Sequence, residues 1–478
     1  MADVILISAP MVLSKEGPAV GDEFTNPWLG VLYIASYLRM NEVTVKVIDP
    51  GPERLLLPGI LKKIGKEKPK VVGISALTSG IRTAVEIATA IKKEFKSIKV
   101  GIGGSHINVD PTFAERFPIF DFSIVGEGEK TFLDIFEKIK KGEKLKKVYQ
   151  GEIIKNLDEI PFPARDLINI YHYFPREKQE SGEKPTASIV GSRGCPYLCS
   201  FCSRNPQWRL VRFRSAKNIV DEMEQIGKNY DWKFSFQDDA ITINRQITLD
   251  LCKEISSRNL KIRFLGMTRA NCVDEEVIRN LAEAGCEELF FGVEAGNERI
   301  RNKVIKKMVT NKQIEKAIKL CRKYGVRSSL FLMVGFPGET KKEIEDTVNF
   351  GRRFDPDFIG VHITIPLPGS EIFELAKKGG QVPEDIIDQY ASGKMGQGFI
   401  GNWPVYVPSG LTEEYLYDAQ KRAYRKFYLR PRWFYLRFLS YFKSPANFVH
   451  DISLIKTGAH TLIYGSTRNA ITQKAAKE

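Results

Sequence analysis

Three cysteines fall within eight residues, in the run Gly194-Cys195-Pro196-Tyr197-Leu198-Cys199-Ser200-Phe201-Cys202, on a loop that directly follows a short β-prone stretch. Thiolates so spaced hold soft metal centres, and the number of them decides which. A structural zinc site asks for four ligands, and no histidine stands close in sequence to complete one. On a four-iron cubane, three thiolates leave one iron without a protein ligand, the open position that inner-sphere chemistry on a small molecule needs. Cys195, Cys199 and Cys202 are therefore candidate ligands and catalytic residues of a 4Fe-4S cluster, with zinc and chance burial as the alternatives. Cys252, Cys272, Cys286 and Cys321 stand singly in helical or strand patterns. That argues for a reduced compartment rather than a disulfide framework.

Other candidate groups cluster at the ends of β-prone runs. In the second half these are Phe236-Gln237-Asp238-Asp239, Arg269, and Gly292-Val293-Glu294-Ala295-Gly296. A paired Asp also makes an ordinary turn, and Glu294 also reads as half of a satisfied ion pair. Gly335-Phe336-Pro337-Gly338-Glu339-Thr340 and Pro366-Leu367-Pro368-Gly369-Ser370 read as tight turns that let backbone approach a ligand, not as catalysts. In the first half, Trp28-Leu29-Gly30 enters a helix, and three loops follow strands: Ser75-Ala76-Leu77-Thr78-Ser79, Gly103-Gly104-Ser105-His106 and Gly126-Glu127-Gly128-Glu129. Small and Gly-rich loops at the carboxyl ends of parallel strands line a ligand crevice. A dinucleotide is disfavoured, because Ile7-Ser8-Ala9-Pro10 lacks the Gly-x-Gly-x-x-Gly fingerprint.

The elements that position these residues form two α/β series. Over residues 1–150, β-prone runs at 4–8, 45–48, 71–75, 100–102 and 122–125 alternate with amphipathic stretches. Ile81, Val85, Ala88, Ile91 and Phe95 mark one crossover helix, and a doubly wound parallel sheet of about five strands is expected. Residues 151–186, broken by Pro161, Pro163, Pro175 and Pro185, read as a linker. Over 187–375, runs near 188–190, 233–236, 261–265, 288–293, 328–334 and 358–365 give six β/α units, a partial barrel with its ligands at the carboxyl ends of the strands. Ser215 and Thr310 are candidate N-caps, Thr340 precedes a Lys/Glu-rich helix, and Gly285 closes the helix that begins near Asp274. Residues 376–478 read as a helical C-terminal region.

The 478 residues carry 72 Lys and Arg against 58 Asp and Glu, a net charge of +14. Lys dominates and is spread over helix faces, so a solvated surface is expected and a nucleic-acid partner is not. The longest nearly apolar stretch, residues 4–13, is too short to span a bilayer, and the start lacks a signal-peptide pattern, so a cytoplasmic location is expected. Residues 421–443 hold eight Lys or Arg, nine aromatics and no acid. Such a stretch suits either an anionic membrane surface or packing against the barrel with its cations snorkelling outward.

The pattern Cys-x3-Cys-x-aromatic-Cys at the head of six β/α units resembles the radical S-adenosylmethionine (SAM) superfamily. The first-domain loops, with the linker Leu157-Asp158-Glu159-Ile160-Pro161-Phe162-Pro163-Ala164-Arg165, resemble the cobalamin-binding domain of one large class within it. The resemblance implies a cluster whose open iron chelates SAM, Phe201 near the adenine, Gln237, Asp238 and Asp239 near the SAM methionine, and Arg269 and Glu294 as further SAM contacts, Glu294 on the ribose. The segment at 236–239 departs from the family's Gly-Gly-Glu. The resemblance also implies cobalamin beside Trp28, Gly30, Ser75, Leu77, Thr78, Gly103, Gly104, His106, Gly126, Glu127 and Gly128. His106 lies outside an Asp-x-His-x-x-Gly motif, so cobalt without a histidine below it is expected, and His106 reads as a loop residue near the corrin or a surface histidine. The implied reaction is methylation of an unactivated carbon in a small-molecule or lipid-like substrate, with a lipid or tetrapyrrole as the analogy. An external electron donor such as flavodoxin or ferredoxin is implied as partner. A radical SAM cyclase or rearrangement enzyme, and a noncatalytic cobalamin or Fe-S sensor, stand as alternatives.

Overall fold

The structure, a computed structural model, describes residues 1–13, 26–174, 184–203, 205–396, 399–431, 433–435 and 438. Among these, the first domain holds β1 (Val4–Ser8), β2 (Val45–Ile48), β3 (Val71–Ser75), β4 (Lys99–Gly103), β5 (Phe122–Val125) and β6 (Val148–Gln150). They form one parallel sheet in the order β2-β1-β3-β4-β5-β6. Strands covered by helices on both faces are apolar throughout, as in β1, where all five residues are buried. The expected crossover helix spans Ile81–Glu94. The sixth strand was not expected: at three residues, none fully buried, β6 is too short for its alternation to be read from sequence.

The second domain holds β7 (Ala187–Ile189), a hairpin of β8 (Ser192–Arg193) and β9 (Arg212–Phe213), then β10 (Lys233–Phe236), β11 (Arg263–Thr268), β12 (Cys286–Glu294), β13 (Arg327–Val334) and β14 (Phe358–Ile363). Its parallel sheet runs in the order β14-β13-β12-β11-β10-β7, and the antiparallel pair β8–β9 brackets the cysteine loop. Helices return each strand to the next and begin where side chains can take up orphan backbone donors. Ser215 caps Ala216–Ile226, Asp274 caps Glu275–Glu283, and Thr310 and Thr340 form capping boxes with Gln313 and Glu343. One face of the sheet is sealed under these helices; on the other, alternate residues such as Met267 and His362 remain accessible.

The C-terminal region departs from a continuous helix. Between Glu371–Lys378 and Glu413–Tyr428 lie only short helical turns and extended chain. Pro383, Pro404 and Pro408 interrupt regular structure there. This stretch joins the core of the first domain: Tyr390 and Trp403 are buried against its sheet-covering residues, and the Tyr390 hydroxyl donates to the Ser79 carbonyl at 2.8 Å.

The helix Glu413–Tyr428 solves a different problem. An open sheet leaves two edge strands with unpaired backbone groups, here β14 and β7, each a template for unwanted pairing. At β14, side chains replace the missing strand. The Tyr424 hydroxyl accepts from Val361 N–H at 2.9 Å and donates to its carbonyl at 3.1 Å, Tyr428 reaches the Ile359 carbonyl at 2.9 Å, and Gln420 donates to the Val361 carbonyl at 2.6 Å. Arg422 pairs with Glu345, and Arg430 with Asp355. Over the described part of 421–443, the packing reading therefore accounts for Arg422, Tyr424, Tyr428 and Arg430. Phe434, Tyr435 and Phe438 are exposed, and residues 439–443 lie outside the described residues. No helix among the described residues is long and apolar enough to cross a membrane.

The linker is built of short helical turns and binds both domains. Its Tyr173 hydroxyl meets the buried Asp49 carboxyl at 2.5 Å, at the end of β2, and Arg165 pairs with Glu222 at 2.6 Å. Burial pushes the Asp49 carboxyl up to about 7, against the opposing pull of the Tyr173 hydroxyl.

Two outcomes follow from these contacts. Replacing Tyr424 and Tyr428 together by Phe should lower stability by about 1–2 kcal/mol in chemical denaturation, because the β14 edge loses its partners. Asp49 binds its proton more tightly folded than unfolded, so its neutral form contributes most at low pH, and that contribution is lost as pH rises through about 7. Asp49→Asn should therefore gain stability relative to the native chain as pH rises from 3.8 to about 7, measured as the difference in unfolding free energy across a pH series.

Candidate functional site

The cysteine loop is set by its hairpin. Gly194 turns the chain at φ 99°, where a Cβ would press to 2.5 Å from the Leu210 carbonyl oxygen, and Cys195 N–H then donates to the Trp208 carbonyl at 2.8 Å. A second anchor joins Ser200 N–H to the Ile305 carbonyl at 3.0 Å. Cys195, Cys199 and Cys202 come together on the wall of one cavity of 240 Å³. No three His, Cys, Asp or Glu side chains among the described residues converge on a single-ion site. Three thiols on one cavity wall are the donor set of a cluster with one open iron.

Arg269 meets this loop from the end of β11. Its guanidinium lies over the Tyr197 ring at 3.5 Å, stands 3.7 Å from the Cys199 sulfur, and donates to the Lys307 carbonyl. Phe201 turns inward and packs near Phe336, Ala295 and Ile305, with ring centroids 6.3 Å apart for the Phe336 pair.

A larger cavity of 320 Å³ lies between the two domains. One side is the carboxyl end of the first sheet, with Ser75, Gly103, Gly104, Gly126, Glu127 and Gly128; Gly30 stands on the helix beside it. A Cβ at Gly30 would meet nothing within 4 Å, and one at Gly103 only the Ile124 carbonyl at 3.6 Å, so these glycines leave room a side chain would fill. The other side comes from the barrel: Val190, Ser192, Arg193, Trp208, Gln237 and Asp239. Apolar walls, a glycine rim and a facing indole fit a flat group such as a corrin. Trp208 lines this cavity and the cysteine cavity alike, its ring N–H donating to Asp239 at 3.1 Å.

Several residues do other work than the sequence suggested. Asp238 accepts from Gly191 N–H at 2.9 Å and from the Ser192 hydroxyl, so it fixes the turn before the cysteines; burial pushes its carboxyl up to about 6. Gln237 and Asp239 face the interdomain cavity rather than the cysteine cavity. Glu294, held at φ 69° by a bulge at the end of β12, spends its carboxylate on Lys307 at 2.7 Å, the ion-pair alternative. His106 is neither on the surface nor in the cavity lining. It is fully buried, bonded to the Thr78 hydroxyl at 3.1 Å and edge-on to Phe113, and burial lowers its pKa to about 4. Trp28, Leu77 and Thr78 also stand outside the lining; Leu77 is exposed and Trp28 precedes the helix Leu29–Met40.

Glu127 lines the cavity, but its carboxylate is an interdomain clamp. It pairs with Arg212 at 2.7 Å and Arg193 at 3.2 Å, while Arg193 also takes Glu129 at 2.6 Å. Burial raises the Glu127 pKa, yet the two guanidiniums more than offset it and leave it below the ordinary value. Arg193 further lies over the Tyr33 ring at 5.3 Å. Sequence reasoning missed Arg193, Arg212 and Trp208. The only signal was their place beside the cysteines; nothing local marks partners that lie 85 residues away in the case of Arg212 and Glu127.

Comparison with known proteins places two family models on this architecture, the B12 binding domain over residues 22–136 and the Radical SAM superfamily over 189–351. An uncharacterized methyltransferase of Pyrococcus horikoshii, PH0819, is 31% identical over 452 residues, covering 90% of this chain and 93% of that protein. The anaerobic magnesium-protoporphyrin IX monomethyl ester cyclase of Rubrivivax gelatinosus is 26% identical, covering 86% of this chain and 75% of its own length. The cytidylyl-2-hydroxyethylphosphonate methyltransferase of Streptomyces wedmorensis is also 26% identical, with 85% and 88% covered. The same fold is seen in TsrM of Kitasatospora setae, solved with cobalamin and a [4Fe-4S] cluster bound, at TM-score 0.67 and 18% identity over 88% of this chain and 91% of that one.

The clamp makes a direct prediction. Glu127→Ala leaves two buried guanidiniums short of a partner and should cost about 3–5 kcal/mol in chemical denaturation. Adding Arg212→Met should recover part of that loss, and the double-mutant cycle gives the coupling.

Proposed function

The chain belongs to the radical SAM superfamily, in the class whose barrel follows a cobalamin-binding domain, and from that premise we propose that it methylates an unactivated carbon of an organic substrate. One observation carries the reading: the cavity ringed by three thiols and the glycine-rimmed cavity of the first domain share Trp208 as a wall. When bound, the cluster and SAM supply the radical that abstracts hydrogen, and cobalamin supplies the methyl group. Cys195, Cys199 and Cys202 would hold the cluster, and Arg269 sets a positive charge beside Cys199. Gly30, Ser75, Gly103, Gly104, Gly126 and Gly128 of the first domain would hold the corrin together with Trp208, Gln237 and Asp239 of the barrel, which line the same cavity. The protein's contribution is placement of the reacting groups in a closed space, as in cofactor enzymes generally.

The substrate class we propose is apolar, a lipid or a tetrapyrrole. The accessible face of the barrel sheet supports it: Met267, Phe290, Phe331 and Met333 stand there with His362, and the Phe290 and Phe331 rings stack 5.6 Å apart. Relatives named for work on magnesium-protoporphyrin and on bacteriochlorophyllide point the same way.

The test uses anaerobically reconstituted full-length chain with dithionite, SAM and hydroxocobalamin. Corrin absorption should persist after desalting, and SAM should yield 5′-deoxyadenosine. With a substrate present, 5′-deoxyadenosine and S-adenosylhomocysteine should form in equal amounts. Cys195→Ala, Cys199→Ala and Cys202→Ala should each abolish 5′-deoxyadenosine while leaving corrin binding intact. Retained corrin and deoxyadenosine without S-adenosylhomocysteine would replace methyl transfer by a cyclase or rearrangement, deoxyadenosine without retained corrin would remove methyl transfer and spare the radical step, and retained corrin without deoxyadenosine would leave a sensor.

A further inference from the structure

The accessible face of the barrel sheet carries a histidine with nothing to bond. Along β14 burial alternates: Ile359, Val361 and Ile363 are buried on the sealed side, while Gly360 and His362 share the open side with Phe331 and Met333, their register neighbours on β13. Gly360 has a steric reason to be glycine, since a Cβ there would stand 3.1 Å from the Phe331 ring and 3.4 Å from His362 Nε2. The imidazole leans over that gap beside Phe331, with ring centroids 6.2 Å apart, at the border of the apolar floor that Phe331 continues through Phe290 to Met267. Met333 packs against the same small core as Cys199 and Phe201. His362, one strand further out, therefore stands at the thiol end of the barrel.

The charged groups nearest to it are already spent. The Glu294 carboxylate is bound by Lys307 at 2.7 Å, and the pair lies over Gly292, where a Cβ would come 2.7 Å from Lys307 Nζ. Neither ring nitrogen of His362 has a hydrogen-bond partner among the described residues. Its apolar surroundings lower its pKa from the ordinary value, with Glu294 pulling the other way, so the ring is neutral at pH 7 and keeps one N–H to donate. A few placed polar groups on an apolar wall are what orient a ligand, and an ionised acceptor makes the stronger bond to such a donor. We propose that His362 is a specificity-determining residue of this face and donates to a carboxylate carried on an apolar body, fixing which carbon of the substrate turns toward the thiols. This role rests on the apolar-substrate reading above and adds the polar group by which that substrate is oriented.

The test is equilibrium dialysis of anaerobically reconstituted full-length chain, with SAM present and in dilute non-ionic detergent. The probes are dodecanoate and protoporphyrin IX, each beside its methyl ester, so that an acyl and a tetrapyrrole source of the carboxylate are separated. For one pair or both, the native chain should bind the acid at least about tenfold more tightly than the ester. His362→Phe, which keeps the floor apolar, should abolish that preference while leaving ester affinity unchanged, and His362→Gln, which keeps a donor, should restore part of it. Equal binding of acid and ester by the native chain, binding of neither pair, or a preference that survives His362→Phe would each overturn the assignment. Loss of acid and ester binding together in His362→Phe would make the residue part of the floor's shape and overturn it as well. A native chain that prefers the acid yet forms no 5′-deoxyadenosine from SAM would keep the carboxylate site and remove the radical reading instead.

Discussion

The structure depends on a set of buried ion pairs between the domains, Glu127 and Glu129 from the first, Arg193 and Arg212 from the second. Buried charges are costly to desolvate and are retained when their geometry fixes something apolar packing would leave loose. Here they fix the hairpin that carries the cysteine loop, since Arg193 lies two residues before Cys195 and Arg212 is its strand partner. The cysteine loop and the glycine-rimmed cavity are therefore held in one register by the same few side chains.

Around that register, each element has a local reason to be where it is. The first sheet ends in glycine-rich turns because backbone must approach a bulky group there. The barrel is left half open so that one sheet face stays accessible, and the price is an unpaired edge at β14, which Gln420, Tyr424 and Tyr428 close. The linker adds Arg165 and Tyr173 as ties, one to each domain.

Much of this was legible in the sequence, for a physical reason: period and spacing are local. The cysteine loop, the two parallel sheets, the crossover helix Ile81–Glu94 and the caps at Ser215 and Thr310 all announce themselves within a dozen residues. What escaped is what depends on contacts far apart in the chain. His106 looked like a loop residue because its neighbours are Gly and Ser, yet Phe113 and Thr78 bury it. Asp238 looked like a ligand contact but is consumed by Gly191 and Ser192, some 47 residues earlier in the chain for Gly191. The C-terminal cations suited a membrane surface or packing on the barrel alike, because the acids that Arg422 and Arg430 find, on the helix Lys341–Phe354 and just beyond it, lie some 75 residues away.

Trp208 has a consequence of its own. The same indole lines both chambers. If occupancy on one side shifts the indole or its bond to Asp239, affinity on the other side shifts by the same factor, and reciprocity requires the effect to run both ways. Filling one chamber and filling the other are then not independent events, and the order of loading becomes a property of a single side chain.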